Sequence, residues 1–249
     1  VGQRRSPLDV VELEHLAARG WRGAEVQPLG HWLLRAGGGG FTKRAHSVLV
    51  VGDPGRPLTD AVPAVVDWYA DRGLTPCAQL PGRQSRAADA ALAAAGWERD
   101  ADTLVLTAPL EGDGTDDRVL LDAAPDVAWL ATARLNGAPL PAAALDVLTG
   151  ADRVRFASVR SPDGDVLAVA RGVLVEDWLG VTAVEVAASA RRRGLGSAVT
   201  RTLQGWAFGE GARWCYLQVT EANAPARALY RRLGLIEHHR YHYRWAPAG

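Results

Sequence analysis

The densest concentration of chemistry in this chain is Arg191-Arg-Arg-Gly-Leu-Gly196, entered through Val184-Glu-Val-Ala-Ala-Ser-Ala190 and followed by Ser197. Beyond Gly196 the apolar residues Val199, Leu203 and Trp206 recur at helical spacing until Gly209 and Gly211. The turn therefore joins a strand to the start of an amphipathic helix. A helix N-terminus presents N–H groups without carbonyl partners and the positive end of the dipole. Gly194 and Gly196 let a ligand approach the backbone, and three guanidinium groups stand beside them. That combination is a cradle for an anion such as a pyrophosphate. The plain alternative for adjacent arginines is a solvated turn, and the glycines weigh against it. A dinucleotide fingerprint is excluded, because its third glycine would stand where Val199 is.

Other reactive side chains are less specific. Glu176, Asp177 and Glu185 lie at the ends of apolar runs, where a carboxylate is more often solvated than catalytic. Asn223 precedes Ala224-Pro225 and suits a helix N-cap or a ligand contact equally. His238, His239 and His242 interleave with Tyr241, Tyr243 and Arg244 on one strand, so His239 and Tyr241 share a face and His238 and His242 take the other. Sheet packing or cleft lining outweighs a metal there, and no metal-ligand spacing is present elsewhere. Cys77 and Cys215 are two cysteines in apolar runs, which suits buried free thiols rather than a disulfide framework.

Those residues need a scaffold, and 249 residues suffice for two small domains. Lys+Arg and Asp+Glu both number 28, so no global field favours nucleic acid or a membrane. Without a signal peptide or membrane-length apolar run, a soluble cytoplasmic protein is expected. The chain opens on Val1 and contains no Met, so its start is treated as missing or altered.

Periodicity and punctuation predict a helix at 7–19, strands at 31–35 and 45–51 joined through Gly37-Gly-Gly-Gly40, and a helix at 58–71. A strand at 77–80, a helix at 85–95 and a strand at 103–107 follow. The acidic segment Leu110-Glu-Gly-Asp-Gly-Thr-Asp-Asp117 reads as part of a linker. After it come a strand at 118–121, helices at 126–135 and 142–148, and strands at 154–159 and 166–175 about the turn Ser161-Pro-Asp-Gly164. The strand leading into the arginine turn, its helix, a strand at 213–220, a helix at 224–233 and a strand at 236–245 complete the chain.

The order repeats. Trp68, Gly73, Cys77 and Gly96 match Trp206, Gly211, Cys215 and Gly234 at a constant offset of 138, which indicates an internal duplication. Carried back by that offset, the arginine turn falls on Asp53-Pro-Gly-Arg-Pro-Leu58 within the segment 46–59, Tyr230 on Leu92 and Asn223 on Ser85. Prolines lack the N–H a phosphate needs and Asp repels it, so the first half is expected to lack the cradle.

The second half resembles the GCN5-related N-acetyltransferases, the GNAT superfamily. Arg191-Arg-Arg-Gly-Leu-Gly196 is similar to that family's Gln/Arg-x-x-Gly-x-Gly/Ala turn. Asn223-Ala-Pro-Ala-Arg-Ala-Leu-Tyr-Arg-Arg-Leu-Gly234 resembles its Asn-x-x-Ala-x-x-Leu-Tyr-x-x-x-Gly-Phe. The departures are Ala188 for the usual proline and Leu235 for the phenylalanine. The whole chain, with Gly40-Phe-Thr-Lys-Arg44, looks like actinobacterial proteins in which a degenerate half precedes an intact one. The resemblance implies an α/β fold of two tandem GNAT-like domains. Each would be a mixed, mostly antiparallel twisted sheet flanked by helices, with splayed central parallel strands in the second. The expected division is 1–110, a linker at 111–117 and 118–249.

What the resemblance implies for chemistry is acetyl transfer from acetyl-CoA, without a metal, to a primary amine by direct attack in a ternary complex. Its pantetheine arm would pair with Val184 and Val186. The pyrophosphate would meet Arg191, Arg192, Arg193, Gly194, Leu195, Gly196 and Ser197, and Asn223 would be a further contact. Tyr230 would protonate the departing thiolate, a sensible role for a phenol of pKa ~10; packing is its alternative. Several relatives carry a glutamate near the position of Gly180, which cannot serve as base. Glu176 is carried as the candidate beside Asp177, Glu185 and a water chain. The acceptor is a small-molecule or peptide amine; monomer and homodimer both remain open. Phe41, Lys43 and Arg44 either shape the acceptor cleft or support the fold. A non-catalytic acyl-CoA sensor would keep the cradle and dispense with acid and base.

Overall fold

A computed structural model of the chain describes residues 5–37, 41–112, 114–135 and 138–247. Gly38, Gly39 and Gly40 of the expected tetraglycine connection, Asp113 of the expected linker and the opening residue Val1 lie outside the described residues.

In chain order the elements are α1 (Val10–Gly20), β1 (Glu25–Leu29), β2 (Trp32–Ala36), β3 (Val48–Leu49), α2 (Leu58–Ala70), β4 (Cys77–Pro81), α3 (Arg86–Ala94), β5 (Glu98–Arg99) and β6 (Thr103–Pro109). Then follow β7 (Val119–Asp122), α4 (Val127–Thr132), β8 (Arg134–Leu135), β9 (Ala138–Pro139), α5 (Ala144–Thr149), β10 (Val154–Arg160), β11 (Val166–Val175) and β12 (Trp178–Val186). The chain ends with α6 (Leu195–Gly209), β13 (Trp214–Thr220), α7 (Ala224–Arg232) and β14 (Ile236–Trp245). No helix among the described residues is long and apolar enough to cross a membrane.

Contacts divide the chain into two units that do not follow chain order. One comprises Leu8–Val105, Ala143–Gly150 and His239–Gly249; the other Val1–Pro7, Leu106–Ala142 and Ala151–His238. These contact units cut the chain differently from the expected division with its linker at 111–117. Residues 239–249 and the α5 segment belong with the first-half unit, and Leu106 onward belongs with the second.

The first-half unit has strand order β1-β2-β3-β4-β14, with β5 on β14. β3 pairs parallel with β4, and β14 antiparallel with it from Tyr241↔Pro81 to Trp245↔Cys77. Trp32, Leu34, Val65, Tyr69, Leu80 and Leu92 form its core. α1 begins at a capping box in which the Asp9 carboxylate accepts from Glu12 N–H and Glu12 accepts from Asp9 N–H. β1 was not expected, because Pro28 interrupts its apolar pattern; as the sheet's edge strand it needs no donor there.

The second-half unit has order β6-β13-β12-β11-β10-β7, mostly antiparallel, with β12 and β13 parallel at its centre. α6 packs on β10, β11 and β12. Val199 and Leu203 are completely buried, each contributing roughly 1.5–3 kcal/mol of hydrophobic stabilisation. α4 stops at Thr132 rather than 135, because Ala133 turns to extended backbone and 134–135 form β8.

The duplication survives with one change. The offset of 138 holds through α2, β4 and α3 against α6, β13 and α7. The preceding strands are offset by 132, since Val48 pairs with Ala78 where Gly180 pairs with Tyr216. The strand-to-helix connection is six residues shorter in the first half, so 46–52 is not the structural counterpart of 184–190.

Candidate active site

The central feature of the second-half unit is a strand that leaves its neighbour. β12 and β13 pair from Trp178↔Trp214 to Val181↔Leu217, after which β12 continues to Val186 and β13 to Thr220 without pairing with each other. On its other side β12 carries a bulge. Val169 lies opposite Glu185 and Arg171 opposite Thr182, so Ala183 and Val184 share one partner position, with Ala183 at φ 52°. A bulge adds twist and re-aims the residues after it. Val184, Glu185 and Val186 consequently reach a cleft of about 810 Å³.

After Val186 the chain makes one 3₁₀ turn, Ala188–Ala190, and two left-handed residues, Arg192 (φ 62°) and Gly194 (φ 77°). The second caps α6, and the first is strain held in a residue without glycine's freedom. A Cβ on Gly194 would meet nothing within 4 Å, so conformation alone demands glycine there. At Gly196 a Cβ would lie 3.2 Å from Leu229 Cδ2 and 3.6 Å from Val186 Cγ2, so glycine keeps the cleft open between β12 and α7. Arg191, Arg192, Gly194, Leu195, Gly196 and Ser197 line this end of the cleft; Arg193 is exposed and lies outside the lining.

α7 forms the opposite wall through Asn223, Pro225, Ala226, Leu229, Tyr230 and Arg232. Asn223 is an N-cap: its Oδ1 accepts from Ala226 N–H at 3.1 Å. Tyr230 is 7 % exposed, and burial, then the charge of Glu185, pushes its phenol up to about 12. Glu185 is held by Arg191, whose Nη2 lies 3.4 Å from its carboxylate while Nε donates to Val186 O at 3.2 Å.

Glu176 is not brought to this cleft. It is an exposed residue with φ 55° in the β11–β12 hairpin, at the other end of β12 and on the order of 25 Å of strand away from Glu185. Position 180 has no room for any side chain, because a Cβ there would stand 2.5 Å from Tyr216 Oη. In the sequence Glu185 is one carboxylate among three, and Arg232, two residues beyond Tyr230, carries no signal of its own. The bulge that aims Glu185 has no signature in Thr182-Ala-Val.

The first-half unit treats the corresponding turn differently. Asp53 Oδ1 accepts from Gly55 N–H at 2.8 Å, and the β1–β2 turn closes over the segment, with His31 N–H donating to Asp53 O at 2.7 Å. A Cβ on Gly30 would strike Pro54 C at 2.3 Å. Protein therefore fills the space. Phe41 is buried against Trp21, Lys43 pairs with Asp100, and Arg44 lies 4.8 Å from the Trp21 ring. His239 shares a hydrogen bond of 2.7 Å with Glu14, while His242 and Arg244 share Asp89. Among the described residues no group of three His, Cys, Asp or Glu could hold a metal ion.

Comparison with known proteins agrees with this architecture. The family described as "Probable histone acetyltransferase Rv0428c C-terminal" matches residues 8–244. The chain is 31 % identical to the Probable histone acetyltransferase Rv0428c of Mycobacterium tuberculosis, over 95 % of this chain and 73 % of that protein. Its fold is similar to a GCN5-related N-acetyltransferase from Kribbella flavida (TM-score 0.72, 18 % identity, 97 % of both chains). It is also similar to a tandem GNAT protein from the clavulanic acid biosynthesis pathway (TM-score 0.65, 13 % identity, 100 % of this chain and 91 % of that one). The chain belongs to the Rv0428c C-terminal family within the GNAT superfamily, and is an N-acetyltransferase.

Proposed function

We propose that this enzyme transfers an acetyl group from acetyl-CoA to a primary amine by direct attack in a ternary complex, with the second-half cleft as its site. The carrying observation is the parting of β12 from β13 beside the Arg191–Gly196 turn, with Tyr230 in the same cleft. Backbone groups of Val184 and Val186, unpaired on the β13 side, suit the amides of a pantetheine arm. The amides of Leu195, Gly196 and Ser197 at the start of α6, with Arg191 and Arg192, suit its phosphates. Bound there, acetyl-CoA supplies the activated thioester.

The chain's own groups supply the rest. Tyr230, kept protonated by burial and by Glu185, donates a proton to the leaving sulfur. Leu229 and Val186 exclude water beside Gly196. Asn223 fixes the start of α7, and a direct ligand contact from it is secondary. In the first-half unit the filled Asp53–Gly55 turn and Leu92 leave neither cradle nor phenol, which supports a non-catalytic role for that unit.

The test is calorimetry with CoA, followed by thiol release from acetyl-CoA with spermidine, kanamycin and a lysine peptide. The peptide belongs in the set because a relative's name carries histone acetyl transfer. Binding with amine-dependent thiol release is expected. Binding without release from any amine would favour a sensor instead.

A further inference from the structure

Resting on that reading, we propose that Glu185 receives the acceptor's ammonium group, and that Arg191 keeps it paired until the phosphates of a CoA thioester draw the guanidinium away.

Glu185 is the only carboxylate among the described residues lining the cleft. The other candidates fail on geometry: Glu176 is at the far hairpin, and Tyr216 occupies the space beside Gly180. Glu185 also lines the same cleft as Tyr230, and its charge adds to burial in pushing that phenol up. Its side chain is 30 % exposed, so a ligand can reach it.

One guanidinium joins this carboxylate to the anion end. Arg191 holds the Glu185 carboxylate at 3.4 Å and the Val186 carbonyl at 3.2 Å, the latter a backbone group that the parted strands offer to a pantetheine amide. Both contacts compete with ligand binding. Hydrogen bonds between a guanidinium and phosphate are charge-assisted and often bidentate, whereas an exposed 3.4 Å pair contributes little. Phosphate therefore wins Arg191, uncovering Val186 O and leaving the Glu185 charge uncompensated beside Tyr230.

The charge balance of the cleft imposes an order. Arg191, Arg192 and Arg232 face one carboxylate, so a cationic amine is repelled until an anionic ligand has neutralised them. Once it has, Glu185 selects acceptors that carry positive charge near neutral pH, such as lysine side chains and polyamines, over neutral hydroxyls. The ammonium passes one proton to Glu185, and the freed nitrogen pair bonds the thioester carbonyl carbon. The C–S bond breaks with its electrons on sulfur, which takes the Tyr230 proton. The tyrosinate recovers a proton from the acylated nitrogen, and Glu185 returns its own to water. Each amide formed releases one proton and one free thiol.

The test is a double-mutant cycle on CoA affinity by calorimetry, with Glu185→Gln, Arg191→Gln and the double variant. Glu185→Gln frees Arg191 and is expected to tighten CoA by about two- to fivefold, the range of an exposed ion pair. In the Arg191→Gln background the same substitution is expected to change affinity little. Equal tightening in both backgrounds would reduce Glu185 to a background charge, and unchanged or weaker affinity would remove the pair altogether; either overturns the proposal. At saturating acetyl-CoA, Glu185→Gln is expected to lower kcat with spermidine or a lysine peptide about 100-fold, with partial recovery in Glu185→Asp. Undiminished turnover would overturn the amine role. A wild-type protein that binds CoA but acetylates no amine would refute the underlying function while the CoA cycle still judges the pair; failure to bind CoA would refute both.

Discussion

Replacing Tyr230 by Phe removes one oxygen from a 7 % exposed side chain, and its consequences separate into two measurements. The first is thermodynamic. The phenol is raised from about 10 to about 12 by burial and then by Glu185, a shift worth about 2–3 kcal/mol between the two protonation states. The folded protein keeps the proton where the unfolded chain has lost it. This contribution is therefore full below pH 10 and lost as pH rises through 12. Other groups titrate there too, but they are common to both proteins. The wild type should lose about 5–10 °C more Tm than Tyr230→Phe between pH 10 and 12, at about 2–4 °C per kcal/mol for a chain of this size. The second measurement is kinetic: kcat should fall about 100-fold with CoA affinity within twofold. Parallel melting curves would show that the surroundings do not hold the proton, and equal kcat would remove Tyr230 from the chemistry.

Gly194→Ala has open space but the wrong dihedral angle, so it should cost about 1–2 kcal/mol in urea unfolding and weaken CoA binding. Gly196→Ala keeps the backbone but presses on Leu229 and narrows the cleft, so calorimetry should show weakened CoA binding at a smaller cost in stability. Glu14→Ala removes the carboxylate that holds His239 and accepts from Gln79 Nε2 in a buried site and should destabilise the first-half unit by about 2–4 kcal/mol, visible as loss of amide protection in α1 and β4. Ending the chain at 238 removes the strand paired with β4, and the same exchange experiment should show that unit open.

Local structure was legible wherever the chain punctuates itself. β11 lies at 166–175 as expected because Ser161-Pro-Asp-Gly164 fixes its start, and α2 follows Pro57. The arginine turn and the α7 motif were legible for the same reason, since each pairs glycines or a cap with helical spacing. What failed was long-range. Periodicity marked Ile236–Trp245 as a strand but not whose neighbour it would be, and only the register Tyr241↔Pro81 reveals that. Glu176 precedes the strand β12 and Glu185 lies near its far end, so only the strand's direction and the bulge at Ala183 decide between them. The uniform offset hid a six-residue shortening because gaps fall in turns, where no periodicity records them.

The crossing of the last strand bears on how the protein is made. The partner of Glu14, His239, lies 225 residues later in the chain, and β4 gains β14 only when residues 241–245 exist. At about 5–20 residues per second, the first-half unit must wait roughly 10–50 s on the ribosome with one edge of its sheet open. A chain that stops before residue 239 therefore leaves the first-half unit without the strand that closes it.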